Sequence, residues 1–248
     1  MFDTHCHIDQ YPDPLAVAQL AEQRRLVTIG VTQLPSHFQE GRDYVKHLRY
    51  VRLALGLHPL LAAEHTAREL ALFRQLLPTT SYIGEIGLDF SRAGQATAAR
   101  QEASFQHVLG LLGDRPRLVT LHSRGAEQRV LELLREYQVE PVIFHWYTGP
   151  TALLKPIQEA GHYFSINLAM LRTQSGCRII ENIALNRLLL ETDGPYIQVS
   201  GRAIQPTDVE ATVTALSAVR QLPVAIMREH LNENFKKLLQ PIKDYSSK

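Results

Sequence analysis

The sequence predicts one α/β domain folded as a (β/α)₈ TIM barrel, and three observations carry that expectation. Eight short runs of aliphatic and β-branched residues alternate, without a break, with longer amphipathic stretches. Strands that alternate with helices run parallel and are linked by right-handed crossovers, and eight such units in 248 residues match the barrel in number and length. Residues able to bind metal follow the apolar runs instead of preceding them, which is where a barrel gathers its functional groups. A doubly wound open sheet is the competing architecture, but no G-x-G-x-x-G follows the first strand, which ends in histidines.

In chain order, the strand candidates are Phe2–His7, Leu26–Gln33, Tyr50–Leu57, Ser81–Ile86, Arg117–His122, Pro141–His145, His162–Asn167 and Arg187–Thr192. Each is a short apolar run of strand length. The helices expected between them are "PLAVAQLAEQRR", the Ser36–His47 region, "TARELALFRQLL", "RQEASFQHVLGLLG", "AEQRVLELLREY", "PTALLKPIQEAG" and "SGCRIIENIAL". Two more follow the eighth strand, "PTDVEATVTALSAVRQ" and "PVAIMREHLNENFKKLL". Gly or Pro marks many junctions, among them Pro35, Pro59, Gly161 and Pro206. No linker, repeat or low-complexity tract interrupts the plan, so residues 1–248 read as one domain, with 244–248 expected to be a flexible tail.

Composition narrows the function. A 45% hydrophobic and 21% charged chain is that of an ordinary soluble protein with a sizeable core. Two cysteines, Cys6 and Cys177, make no disulfide framework and suit a reducing compartment. Without a signal-like start or a long apolar run, the expectation is a cytoplasmic protein with no membrane association. A net charge of +1 argues against a protein held to nucleic acid by bulk charge. The densest basic run, "RDYVKHLRYVR", reads as a solvated helix face.

The polar residues at the strand ends are more telling. In "FDTHCHID", strand alternation sends Asp3, His5, His7 and Asp9 to one side and Cys6 to the other. The third run leads into His58, the fourth carries Glu85, the fifth ends in His122 and the sixth in His145. The eighth ends in Glu191 and Asp193. Each alone has a plain structural explanation as a cap or turn former. Glu85 is harder to dismiss, because a carboxylate in an apolar strand is costly unless compensated, and its glycine neighbours imply a close approach by another group. Jointly, these residues on one face point to metal binding. They exceed what one tetrahedral zinc requires and suit two divalent ions about 3.5–4 Å apart with a bridging carboxylate. Imidazole and carboxylate ligands fit Zn, Mn, Fe or Co, with Mg less suited. Such a pair activates water, which means hydrolysis.

Taken together, "DTHCHID", "GLHP", "GEIGLDF", "LHSR", "HWYTG", "ETDGPY" and "NENFKKLL" resemble the TatD family of metal-dependent deoxyribonucleases, within the amidohydrolase superfamily. The likeness spans nearly the whole chain in the family's order. It implies a binuclear centre in which His5 and His7 bind one ion, His122 and His145 the other, and Glu85 bridges both. Asp193 would bind the first ion and handle the proton of the attacking water. His58 at the pocket edge and Arg124 after the fifth-strand histidine are candidates for substrate phosphate. Trp146 is a candidate for stacking a base, with Tyr147 and Tyr11 as further aromatics near the motifs. The implied substrate is DNA, single-stranded or at frayed 3′ ends, degraded 3′→5′. One departure stands out: the family's Arg-Asn-x-Pro segment after the eighth strand is here "GRAIQPTDV", with Arg202 a candidate replacement from a shifted position. The opening "HCHIDQYPDP" also resembles the TatD-like subunits of a bacterial antiphage gene cluster, the QatD proteins, which implies partner proteins of a defence complex. Hydrolysis of an amide, ester or lactone, as elsewhere in the superfamily, is the other enzymatic reading.

Overall fold

The computed structural model describes residues 1–113 and 115–246. Eight parallel strands form its centre: β1 (Phe2–Cys6), β2 (Val27–Val31), β3 (Val51–Ala54), β4 (Tyr82–Gly87), β5 (Leu118–His122), β6 (Ile143–His145), β7 (Tyr163–Ile166) and β8 (Leu188–Leu190). They pair as β1-β2-β3 and β4-β5-β6-β7-β8. Two seams close the ring. Leu55 bridges Ile83 in parallel, and Gly84 N–H donates to the Leu55 carbonyl at 2.9 Å. Across the other seam, Asp193 N–H donates to His5 O at 2.9 Å and His7 N–H to Gly194 O at 2.8 Å. The fold is therefore the expected closed barrel.

The helices follow the strands in order: α1 (Pro14–Gln23), α2 (Pro35–Val45), α3 (Ala67–Leu76), α4 (Ala98–Leu112), α5 (Glu127–Glu136), α6 (Leu154–Glu159), α7 (Leu168–Leu171), α8 (Gln174–Glu181), α9 (Val209–Arg220) and α10 (Val224–Ser246). Local chemistry starts several of them. Asp13 accepts from Ala16 N–H ahead of α1, Thr66 from Glu69 N–H ahead of α3, and Thr173 from Gly176 N–H ahead of α8. The main core fills the barrel and the layer between strands and helices, and Phe235 of α10 stacks on Phe2 at 4.2 Å. Cys6, as its face requires, is buried in a smaller apolar cluster with Ile8, Tyr11 and Val17. Among the described residues no helix is long and apolar enough to cross a membrane.

The structure departs from the sequence-based plan in three places. A one-turn helix, α7, forms after β7 because Asn167 caps Met170 N–H; four residues are too few to show a helical period. A two-stranded hairpin, β9 (Gln198–Val199) and β10 (Arg202–Ala203), occupies the segment after Asp193. The expected flexible tail is also helical as far as Ser246. The helix continues past Pro241 because Ile242 is buried and the Arg115 guanidinium lies over the Tyr245 ring at 5.3 Å. Residues 247 and 248 of that tail lie outside the described residues.

Candidate metal centre

At the carboxyl ends of the strands, a cavity of about 590 Å³ is lined by His7, His58, Glu85, His122, His145 and Asp193, among others. Glu85 is its centre. The strand places this carboxylate inside the barrel because β4 can press against β5. A Cβ on Gly84 would lie 2.4 Å from Thr120 Cγ2, and one on Gly87 would lie 2.1 Å from the His122 carbonyl oxygen. The close approach expected of these glycines is therefore real.

The two oxygens of Glu85 serve different histidines. Oε2 lies 3.4 Å from His5 Nε2, 3.2 Å from His7 Nε2 and 3.2 Å from His58 Nε2. Oε1 lies 2.7 Å from His122 Nδ1 and 3.2 Å from His145 Nε2. Asp193 Oδ1 faces the first pair, 3.8 Å from His5 Nε2 and 3.6 Å from His7 Nε2. Atoms that share a tetrahedral ion at about 2.1 Å stand about 3.4 Å from one another. His5, His7 and Asp193 present such a group, and His5 Nε2 and Asp193 Oδ1 are buried without a hydrogen-bond partner among the described residues. Unpaired polar atoms are expensive to bury, so these residues fit a bound cation.

His58 differs from the other rings. Its Nδ1 accepts the Leu60 N–H at 3.1 Å, so the proton of the neutral imidazole sits on Nε2. Burial lowers its pKa and keeps it neutral. It therefore offers a donor to the cavity, although its ring nitrogen lies close enough to Glu85 and His122 for a shared ion.

Electrostatics divide the groups further. Burial, with His145 nearby, lowers His5 to about 3. Burial alone would also lower His145 and His122. Glu191 and Glu85 outweigh it for His145, and Asp89 and Glu85 outweigh it for His122, so both rings are raised. Burial would raise Glu85, but the surrounding imidazoles hold it well below the carboxylate range. Asp193 is instead raised to about 7 by burial, which His145 and His7 only partly offset.

Behind these groups lies a supporting layer. Asp3, deeper on β1, accepts from the N–H groups of His5 and Thr192, at 3.1 and 3.0 Å, and from the Thr192 hydroxyl. His5 Nδ1 meets Thr120 Oγ1 at 2.8 Å. Glu191 accepts from Trp146 N–H, Asn167 Nδ2 and the Ser165 hydroxyl, and lies 3.4 Å from His145 Nδ1. Asp89 meets His122 Nε2 at 2.8 Å, and against the cost of burial, hydrogen bonds from His122 and Ser91 bring it down to about 2.

Of the candidate substrate residues, His58, Arg124 and Trp146 line the cavity, whereas Arg202 does not. The Arg202 guanidinium is turned onto Asp208, bonded to both carboxylate oxygens at 2.8 Å, because the hairpin carries it away. Tyr147 is buried with its hydroxyl on Pro150 O, and Tyr11 is buried with its hydroxyl on Ile204 O, so both are core residues. Tyr196, which sequence reasoning passed over, stands in the cavity wall with its ring 5.0 Å from His7 and its hydroxyl bonded to Gln33. Its one signal was its place inside "ETDGPY". Asp89 too was visible only as the second acid within "GEIGLDF".

A sequence model of the TatD-related DNases matches residues 2–240. The chain is 25% identical over 242 residues to an uncharacterised metal-dependent hydrolase of Methanocaldococcus jannaschii, covering 94% of each chain. It is 25% identical over 265 residues to the human deoxyribonuclease TATDN3, covering 98% of this chain and 96% of that one. Among solved structures, the YJJV protein of Escherichia coli K12, a TatD homologue, superposes with a TM-score of 0.85 at 24% identity, covering 96% and 97% of the two chains.

Proposed function

This chain belongs to the TatD-related DNase family, and from that premise we propose that it is a metal-dependent phosphodiesterase that releases nucleotides from single-stranded or frayed 3′ ends of DNA. The observation that carries the reading is the division of Glu85, one oxygen toward His5 and His7 and the other toward His122 and His145. A carboxylate so placed suits two divalent ions, with Asp193 completing the first group. When bound, such a pair supplies Lewis acidity at the phosphate and a water acidic enough to ionise near neutral pH.

The remaining work falls to side chains. Asp193 Oδ1, unpartnered and facing the cavity, receives the proton of the attacking water. His58 donates its Nε2–H to a phosphoryl oxygen. Among the described residues, Arg124 is the one arginine or lysine lining the cavity, and it pairs with the substrate phosphate. Trp146 and Tyr196 give the terminal base two aromatic surfaces. The cavity is of a size that encloses one small ligand, which favours a single unpaired nucleotide over intact duplex.

The test is nucleotide release from end-labelled single-stranded DNA with added Mn²⁺. Wild type should release nucleotides only with metal, and Glu85→Ala and Asp193→Ala should lose release while keeping a folded circular-dichroism spectrum. Wild-type rates in both folded variants would overturn the assignment.

A further inference from the structure

Each ring in the centre has a second nitrogen facing away from the cavity, and for His122 that nitrogen meets a carboxylate. Asp89 lies just beyond β4 and is buried. Its backbone N–H donates to Gln101 Oε1 at 2.8 Å, and its Oδ1 accepts the Ser91 N–H at 2.9 Å. Gln101 is oriented in turn, because its Nε2 donates to Gly94 O at 2.8 Å and to Thr97 Oγ1 at 3.0 Å. The loop is packed so closely that a Cβ on Gly94 would lie 2.1 Å from the Asp89 carbonyl oxygen. The carboxylate is thus held from outside the cavity, with Oδ2 left for His122 Nε2 at 2.8 Å.

An ionised carboxylate only accepts, so the imidazole proton must lie on Nε2. A neutral ring has one such proton. With that proton held by Asp89, Nδ1, 2.7 Å from Glu85 Oε1, is the nitrogen whose lone pair a cation in the cavity would take. We infer that Asp89 is a positioning residue that sets the tautomer of His122 and thereby makes Nδ1 a metal ligand. The inference rests on the metal-centre reading proposed above.

Substitution by asparagine separates this role from that of a simple strut. Ser91 N–H requires an acceptor, so the amide oxygen of Asn must occupy the place of Oδ1. The NH₂ group then takes the place of Oδ2 and donates to His122 Nε2, which moves the ring proton to Nδ1 and blocks the ligand. Alanine only removes the partner, leaving water to accept from Nε2–H. A strut predicts that Asn is harmless and Ala harmful; tautomer control predicts the reverse order.

Zn²⁺ affinity and stoichiometry, measured by competition with a chromogenic chelator on the purified full chain, test this. Thermal unfolding of the metal-free variants verifies their fold. Wild type should bind two equivalents. Asp89→Asn should lose about 10–100-fold in affinity at one of them, and Asp89→Ala should lose less. If wild type binds no Zn²⁺, the metal-centre reading fails and this inference with it. If wild type binds and folded Asp89→Asn keeps both affinities, or loses no more than Asp89→Ala, the tautomer role alone is overturned. Should Asp89→Asn not fold, a folded Asp89→Ala that loses about 10-fold or more at one position gives the strut's result and overturns the tautomer role.

Discussion

Asp193→Asn should make the metal-free protein more stable while removing its activity. The backbone of Asp193 has φ +49°, a conformation Asn tolerates well. Its N–H bond to His5 O and its carbonyl bond from Tyr196 N–H, at 2.9 and 3.0 Å, need no side chain. The side chain carries the cost. Its Oδ1 is buried without a partner, and its carboxyl group titrates near 7 where an ordinary aspartate titrates at 3.8. The folded protein therefore keeps this proton to a higher pH than the unfolded chain does. The stability it represents is full below pH 4 and is lost as pH rises through 7. At about 1.4 kcal/mol for each pH unit, the ionised group costs the metal-free fold on the order of 4 kcal/mol at pH 8. The neutral amide removes most of that cost, and its advantage over wild type should grow by about 3 kcal/mol between pH 5 and pH 8. Urea unfolding with a chelator present, at both pH values, measures the difference. With saturating Mn²⁺, wild type should regain stability through binding, and hydrolysis by the variant should fall about 10²–10⁴-fold. Equal stability of the two proteins at pH 8 without metal, or a gap that does not change with pH, would refute the reasoning.

The remaining predictions concern packing, pH and substrate. Gly87→Ala should cost more than about 3 kcal/mol, since its Cβ would lie 2.1 Å from the His122 carbonyl. Gly110→Ala, inside α4 and meeting Tyr137 at an ordinary 3.5 Å as its nearest contact among the described residues, should instead stabilise by up to about 1 kcal/mol; unfolding midpoints compare the two. His162, held to about 4 by burial with Arg135 and Arg187 nearby, remains neutral in the fold when the unfolded chain would protonate it. His162 should therefore contribute a loss of up to about 3 kcal/mol from pH 6.5 down through 4, and His162→Gln should change the slope by about one proton relative to wild type in pH-resolved urea titrations. Trp146→Ala should raise KM for single-stranded DNA by roughly 5- to 150-fold, from a stacking contribution of about 1–3 kcal/mol, with kcat little changed. Tyr147→Ala, a core truncation, should instead lower the unfolding midpoint by steady-state and thermal assays run in parallel.

The barrel was legible in the sequence because its cause is local. Eight apolar runs with helical stretches between them leave few ways to bury both faces of a parallel sheet, and closure by the β1–β8 seam follows. The residues at the strand ends were legible for a related reason. His5, Glu85, His122, His145 and Asp193 are costly where they stand unless they compensate one another, so their presence after apolar runs announces a shared site. What the sequence left open depends on distances between segments far apart in the chain. Arg202 and Arg124 are equivalent as letters; only the hairpin that carries Arg202 to Asp208 takes it away from the cavity. Tyr147 and Tyr196 are likewise both aromatic residues inside motifs, but β6 turns the first into the core while the second stands beside His7. The division of Glu85, with His5, His7 and His58 on one oxygen and His122 and His145 on the other, exists only once the ends of β1, β3, β4, β5 and β6 converge, and the carboxylate of Asp89 lies behind His122 only once β4 and β5 are side by side. Sequence alone determined the architecture and the chemical kinds of group at its open end. Tertiary structure decided which atom of each group faces which, because hydrogen bonds and ligand geometry act over a few ångströms that chain order does not specify.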